Sequence, residues 1–164
     1  MKTLYLMRHA KSSWKHAELN DLDRPLLEKG LKRTRLIIEH LQKNNTVIEF
    51  VLTSHAVRAF ETARLMAHAF NVDEHNLRVE KGVYMADSAS LMDQFFDLPR
   101  KVSHVLMVGH NPSITSFANT FLKEKIDYLP TSGVVAISFD TDKWEDLPLA
   151  VYKTEFMVFP KMFQ

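Results

Sequence analysis

The chain has 164 residues, 46% of them hydrophobic and 25% charged, which is an ordinary globular composition. This length suits one sizeable core, so we expect a single domain over residues 1–164. The absence of cysteine excludes disulfides, thiolate metal sites and cysteine nucleophiles. A net charge of +1 gives no reason to expect nucleic acid or an anionic membrane as a partner. No apolar stretch approaches the ~18 residues of a membrane span and no signal-peptide pattern opens the chain, so we expect a cytoplasmic protein.

The first predicted element is a strand over residues 4–7, an unbroken apolar run that is typical of a strand buried on both faces. The run stops at Arg8 and His9. A polar loop over residues 11–25 follows, and loops of that length are usually functional or disordered. Its position directly after Arg8 and His9 favours a function, and His16 in this loop is placed to touch a substrate.

The rest of the chain alternates between helical and extended patterns. Helices are predicted at 26–43, 55–70 with Ser54 as N-cap, 88–98 with Ser88 or Ser90 as cap, and from Pro112 to about 123. Strands are predicted at 47–52, 77–79 (an edge), 102–108, 132–139 and 149–159, the last two as a meander at one edge. This order predicts an α/β fold, a three-layer sandwich with a mostly parallel central sheet covered on both faces.

Two of the predicted strands end in the same way. The first ends at Arg8-His9, and the strand over 102–108 ends at Gly109-His110. A third strand is followed by Arg58 in the first turn of a helix, where the positive end of the macrodipole disfavours a cation. Such a local mismatch often marks a functional residue.

Each of these features alone is more simply a strand end or a surface residue, but together they favour an active site. If the strands are parallel and adjacent, two arginines and two histidines meet at the carboxyl edge of the sheet, where α/β proteins bind ligands. Guanidinium forks match phosphoryl oxygens, and the helix starts after Ser54 and Asn111 would add backbone N–H groups. Like charge would drive an imidazole in this pocket toward its neutral, nucleophilic form.

These motifs resemble the histidine phosphatase superfamily. The resemblance is carried by Arg8-His9 after an apolar strand, by Ser54 and Arg58 with Glu61-Thr62-Ala63, and by Gly109-His110-Asn111-Pro112. Within that superfamily, the short chain, Arg8-His9-Ala10-Lys11-Ser12 and Asp21…Arg24-Pro25-Leu26 resemble the SixA-type phosphohistidine phosphatases.

The resemblance implies a phosphoglycerate mutase-like α/β sandwich and one histidine phosphatase domain. It implies that His9 is the phosphoryl-accepting nucleophile and that Arg8, Arg58 and His110 bind the phosphoryl group. We expect Ser12, Ser54 and Asn111 at the rim of the phosphate pocket. No cofactor is expected, and no metal, because no spacing of His, Asp and Glu suggests a metal site.

One position departs from the superfamily pattern, and one role in that pattern has no evident residue. Ala10 stands where glycine is usual, which indicates that residue 10 does not need a positive φ. The general acid is not evident: Asp21 matches an acidic position of the SixA group, and it is either the acid or a surface loop residue. Asp23, Glu80 and Asp87 are weaker candidates, while Arg24 is a candidate substrate contact.

The absence of an evident general acid in the sequence affects which substrate class we expect. An alkoxide leaving group needs a proton, and a placed acid is worth ~10²–10⁴-fold in rate. Imidazole leaves from phosphorus more easily, and a chain this short has no insertion to roof the pocket. We therefore expect a phosphatase that acts on phosphohistidine in a protein through a phosphohistidine enzyme intermediate. A small-molecule phosphomonoesterase or mutase of the same superfamily and a non-catalytic phosphate-binding module stay open as alternatives.

Overall fold

The computed structural model describes residues 1–15 and 18–164. His16, which the sequence places within reach of a substrate, lies outside these residues. Six strands are present among them: β1 (Lys2–Arg8), β2 (Phe50–Thr53), β3 (Leu77–Val79), β4 (His104–Gly109), β5 (Val134–Phe139) and β6 (Tyr152–Val158). Four α-helices are α1 (Glu28–Lys43), α2 (Val57–Ala69), α3 (Ser88–Asp93) and α4 (Ser113–Asn119). Short 3₁₀ segments lie at Asp21–Asp23, Glu74–Asn76, Lys81–Val83, Trp144–Leu149 and Pro160–Phe163.

The strands form one mixed sheet in the order β3-β2-β4-β1-β5-β6. The first four strands in this order run parallel, whereas β5 is antiparallel to β1 and β6 is antiparallel to β5. The predicted α/β class with a mostly parallel sheet is confirmed. So are the predicted edge strand β3 and the meander at the other edge.

Both faces of the sheet are buried, as the apolar run in β1 predicts. Leu4 and Leu6 belong to one core cluster, together with side chains of α3 and α4. Tyr5 and Met7 belong to a second cluster, together with side chains of α1 and α2. Alternate residues of a strand point to opposite faces, so β1 contributes to both cores and fixes the three layers.

Several predicted boundaries are wrong for local reasons. Ala56, not Ser54, is the N-cap of α2. Asp87, not a serine, is the N-cap of α3, because its carboxylate accepts a hydrogen bond from the backbone N–H of Ser90. The predicted start of the last strand is also wrong, since residues before Tyr152 form a 3₁₀ segment that buries Trp144.

Other elements are shorter than predicted. α1 begins at Glu28 because Leu26 pairs with Ser12 in an isolated β-bridge and Leu27 is extended. β2 begins at Phe50, and α3 and α4 end several residues before the predicted positions. None of the helices in the described residues has the length and apolar character that crossing a membrane requires.

Candidate active site

Sheet register brings the predicted site residues together at the carboxyl edge. Arg8 of β1 lies opposite Gly109 of β4, and the backbone N–H of His9 donates to the carbonyl of Gly109 over 3.1 Å. The rings of His9 and His110 are consequently neighbours, with centroids 5.1 Å apart. β2 pairs with the other side of β4, and it delivers Arg58 at the start of α2.

His9 has a defined tautomer in its neutral form. Its Nδ1 lies 2.7 Å from the carbonyl oxygen of Ala10, and a carbonyl only accepts, so Nδ1 carries the proton. The lone pair is then on Nε2. Burial, with smaller contributions from the nearby His110, Arg58 and Arg8, lowers the pKa of His9 to about 3, although the Ala10 hydrogen bond acts in the opposite direction. The sequence attributes the neutral form to like charge, whereas burial is the larger cause.

The backbone after His9 is tied to α2. Ala10 is fully buried, and its N–H donates to the hydroxyl oxygen of Thr62 over 2.9 Å. The Thr62 hydroxyl in turn donates to the carbonyl of Arg58 over 2.7 Å. Ala10 is not among the residues with positive φ, which confirms the interpretation of alanine at this position.

A second contact fixes the same backbone from α1. A Cβ added to Gly30 would lie 2.5 Å from the carbonyl oxygen of Lys11, so only glycine lets α1 approach this closely. The Lys11 carbonyl accepts from the N–H of Leu27 over 2.9 Å. The backbone that follows His9 is therefore held between α1 and α2.

Arg8 and Arg58 are both oriented by backbone carbonyls. Arg8 donates from Nη1 to the carbonyl of Leu129 over 3.2 Å, and its buried Nε has no hydrogen-bond partner among the described residues. Arg58 is only 5% exposed. It donates from Nη1 to the carbonyl of Asp21 over 2.6 Å. Its Nη2 donates to Oδ2 of Asp21 over 2.9 Å. Both terminal nitrogens of Arg58 thus contact Asp21.

His110 is held from behind by Ser54. The Ser54 hydroxyl lies 2.6 Å from Nε2 of His110, whereas no residue that the structure describes makes a hydrogen bond to the buried Nδ1 of His110. Burial, followed by the charge of Arg58, lowers the pKa of His110 to about 4, so the ring is neutral at pH 7. Ser54 is fully buried and does not line the cavity, so the structure places it beneath the site rather than at the rim.

Asp21 lies at the centre of a small ion-pair network. Its Oδ2 accepts from Arg58 and, over 2.6 Å, from the hydroxyl of Tyr84, and its Oδ1 lies 3.2 Å from Nε of Arg24. Burial raises the pKa of Asp21, but the hydrogen bonds from Tyr84 and Arg58 and the two arginine charges outweigh it and leave the pKa below its usual value. Asp21 is therefore ionised at neutral pH and poorly suited to donate a proton.

A cavity of about 1020 Å³ opens above these groups. Of the expected residues it is lined by Arg8, His9, Ser12, Asp21, Arg24, Arg58, His110 and Asn111. The amide of Asn111 is engaged, because its Nδ2 donates to Leu129 and its Oδ1 accepts from Thr115. Asn111 thus fixes the loop that follows β4.

Sequence reasoning missed several residues that line this cavity. They are Lys11, Trp14, Arg33, Tyr84 and Tyr128, among others. Tyr84 contacts the ring of His110 edge-on at 5.3 Å and holds Asp21 through its hydroxyl. No local sequence pattern predicts a role for Tyr84, since this residue reaches the site from a turn between β3 and α3. In the described part of the chain, no group of three or more His, Asp or Glu side chains is placed to hold a metal ion.

Comparison with known proteins agrees with this arrangement. The sequence profile of the Histidine phosphatase superfamily (branch 1) matches residues 4–83, which include Arg8, His9 and Arg58. The chain belongs to the histidine phosphatase superfamily. An uncharacterized protein of Mycobacterium leprae is 30% identical over 155 residues, covering 87% of this chain and 92% of that protein.

Several solved protein structures have the same fold as this chain. A protein of Nakamurella multipartitia assigned as phosphohistidine phosphatase SixA has a TM-score of 0.81 at 22% identity, covering 97% of this chain and 96% of that one. The protein histidine phosphatase SixA complexed with tungstate has a TM-score of 0.79 at 23% identity and covers 99% of both chains. The phosphoglycerate mutase-like fold expected from the resemblance is confirmed.

Proposed function

We propose that this histidine phosphatase superfamily member is a phosphatase that transfers a phosphoryl group to Nε2 of His9 and then to water. The observation that carries the proposal is the state of His9: Nδ1 is fixed on the Ala10 carbonyl, and burial keeps the ring neutral. Among the described residues, no hydrogen bond engages Nε2. A neutral imidazole with a directed lone pair is a competent nucleophile.

The reaction has two steps. In the first, the Nε2 lone pair attacks phosphorus, and the bond from phosphorus to the leaving group breaks with its electrons on that group. In the second, water attacks the phosphoryl group on His9, the P–N bond returns its electrons to Nε2, and the water proton passes to phosphate. In both steps of the proposed reaction, Arg8 and Arg58 bind the phosphoryl oxygens through charge-assisted hydrogen bonds, and neutral His110 binds them through a neutral one.

Asp21 contacts both terminal nitrogens of Arg58 in the free protein. An incoming phosphoryl group must share or replace these contacts, because its oxygens compete for the same donors. Asp21 thereby acts as an anchor that keeps Arg58 oriented before substrate arrives.

The proposed substrate is phosphohistidine in a protein. Among the described residues that line the cavity, Asp21 is the one carboxylate, and its lowered pKa makes it a poor acid. An alkoxide leaving group would go unprotonated here, whereas an imidazole protonated on its other nitrogen leaves as a neutral ring. The lack of a suitable proton donor among these residues therefore favours a phosphoramidate substrate over a phosphate ester.

A small-molecule phosphomonoesterase is the second candidate. A cavity of about 1020 Å³ is large enough for a sugar phosphate. Rates of phosphate release from a phosphohistidine peptide, p-nitrophenyl phosphate and sugar phosphates would separate the two candidates. We expect the peptide to give the highest kcat/KM, and a sugar phosphate turned over faster than the peptide would contradict the phosphohistidine assignment.

The role of His9 is tested by His9→Asn, with His75→Asn as the matched control. The His75 side chain is 89% exposed and far from the cavity lining, so its replacement should leave turnover unchanged. We expect His9→Asn to abolish turnover of every substrate. Phosphate binding with no hydrolysis by the unaltered protein would instead support a phosphate-binding module without catalysis.

A further inference from the structure

The cavity holds more positive charge than one phosphoryl group requires. Among the described residues that line it there is a single carboxylate, Asp21. The cationic side chains are five: Arg8, Lys11, Arg24, Arg33 and Arg58. Two guanidinium forks, those of Arg8 and Arg58, suffice for a phosphoryl group. Asp21 pairs with both Arg58 and Arg24, so this single carboxylate leaves an excess of positive charge in the cavity that a second anion could use.

Arg24 is a preorganised half of such a site. It is 7% exposed, and its guanidinium stacks on the ring of Trp14 with its central carbon 3.4 Å from the ring centroid. Nε lies 3.2 Å from Oδ1 of Asp21, and among the described residues neither Nε nor Nη1, both buried, has a hydrogen-bond partner. The guanidinium is planar, it is held in place by the indole ring, and it has an unused N–H donor of its own. Such a group loses little conformational entropy when it binds an oxyanion.

Arg33 reaches the same cavity from α1, a different element. It is partly buried, and within the described part of the chain its buried Nε has no hydrogen-bond partner. Arg33 has no contact with Asp21, so a change there leaves the Asp21–Arg58 network intact. Arg35 lies two residues further along α1, is exposed and does not line the cavity, which makes it a matched control.

We propose that Arg24 and Arg33 bind a second anionic group of the substrate, a carboxylate carried next to the phosphohistidine. This inference rests on the proposed function and names a feature of its substrate. A carboxylate matches the planar guanidinium fork, and a protein substrate supplies one from an Asp or Glu beside the phosphorylated residue. The protein would then select phosphohistidines in an acidic sequence context.

The test compares two peptides that carry a non-hydrolysable phosphohistidine analogue, with Glu or with Gln as the flanking residues. Binding is measured by calorimetry for the unaltered protein, Arg33→Met and Arg35→Met. We expect the unaltered protein and Arg35→Met to bind the Glu peptide about tenfold more tightly, as for one charge-assisted hydrogen bond. Arg33→Met should bring the ratio of the two Kd values close to one.

A further variant and a turnover assay make the outcomes distinguishable. Arg33→Lys keeps the charge without the fork and should retain part of the preference, which covers the case that Arg33→Met fails to fold. Equal binding of both peptides by the unaltered protein, binding of neither, or a full preference in Arg33→Met overturns the proposal. Turnover of the matching phosphohistidine peptides is measured alongside. A binding preference for the Glu peptide without turnover supports the second anion site and contradicts the phosphatase activity. Turnover without a binding preference supports the phosphatase activity and contradicts the second anion site.

Discussion

His9 is held in one tautomer by a single hydrogen bond, from Nδ1 to the carbonyl of the next residue. This bond decides which nitrogen carries the lone pair, and burial decides that the ring is neutral. His110 is neutral for the same reason, with its Nε2 on the Ser54 hydroxyl. Both histidines are therefore uncharged at neutral pH, and the positive charge that lines the cavity comes from four arginines and Lys11.

Two buried neutral histidines make stability depend on pH. The pKa of His9 is about 3 and that of His110 about 4 in the folded protein, against about 6.5 when unfolded. Below pH 6.5 the unfolded chain binds protons that the folded chain does not, so stability falls as the pH decreases toward 4. The expected slope is at most about 1.4 kcal/mol per pH unit for each histidine.

Urea unfolding at several pH values between 7 and 4.5 measures this dependence. His9→Asn should show a shallower decrease than the unaltered protein, because one of the two groups is gone. His75→Asn, altered at an exposed position, should keep the full slope. Parallel profiles for His9→Asn and the unaltered protein would mean that His9 titrates normally in the folded state.

At the scale of elements, the site is assembled where the 3₁₀ turn Asp21–Asp23 meets α2. Arg58 lies in the first turn of α2, where a cation is disfavoured by the macrodipole. The carboxylate and carbonyl of Asp21 offset this cost by accepting from both terminal nitrogens of Arg58. The long loop after β1 thus supplies a partner for an arginine that the sequence alone shows as a mismatch.

Asp21→Asn tests whether this residue is an anchor or the general acid. Asparagine keeps the shape and the backbone contact to Arg58 but cannot donate a carboxylic proton. We expect kcat for a phosphohistidine peptide to change by less than about tenfold, because an ionised anchor donates no proton. A general acid would be worth ~10²–10⁴-fold.

Asp23→Asn is the control for that measurement, since Asp23 lies in the same turn and is exposed. It should match the unaltered protein in both kcat and KM. A hundredfold or larger loss of kcat confined to Asp21→Asn would identify Asp21 as the acid and remove the argument for a phosphoramidate substrate.

At the scale of the whole molecule, the sequence predicts what short-range patterns control. The apolar run of β1 stops at Arg8, the run of β4 stops at Gly109, and the sheet register brings these ends together as expected. Strand order and layers follow from the same alternation of strands and helices. The α/β class and the superfamily could therefore be predicted before the structure.

Partners distant in the chain could not be predicted. The Ser54 hydroxyl accepts from the backbone N–H of Ala56 and also contacts a histidine 56 residues away, and only the first of these contacts is local. Asp21 contacts a tyrosine 63 residues away, and this contact, together with the arginines, sets its ionisation. Local spacing does not reveal such tertiary contacts, so it could not predict what holds His110 or what sets the ionisation of Asp21.

The central claim is that the phosphoryl group passes through Nε2 of His9. The most direct measurement is to mix the protein with labelled substrate, quench in base within one turnover, digest, and map the phosphoryl group by mass spectrometry. We predict one acid-labile phosphoryl group on His9, present in His75→Asn and absent in His9→Asn. Phosphate release with no label on His9, or with label on another residue, would contradict the account.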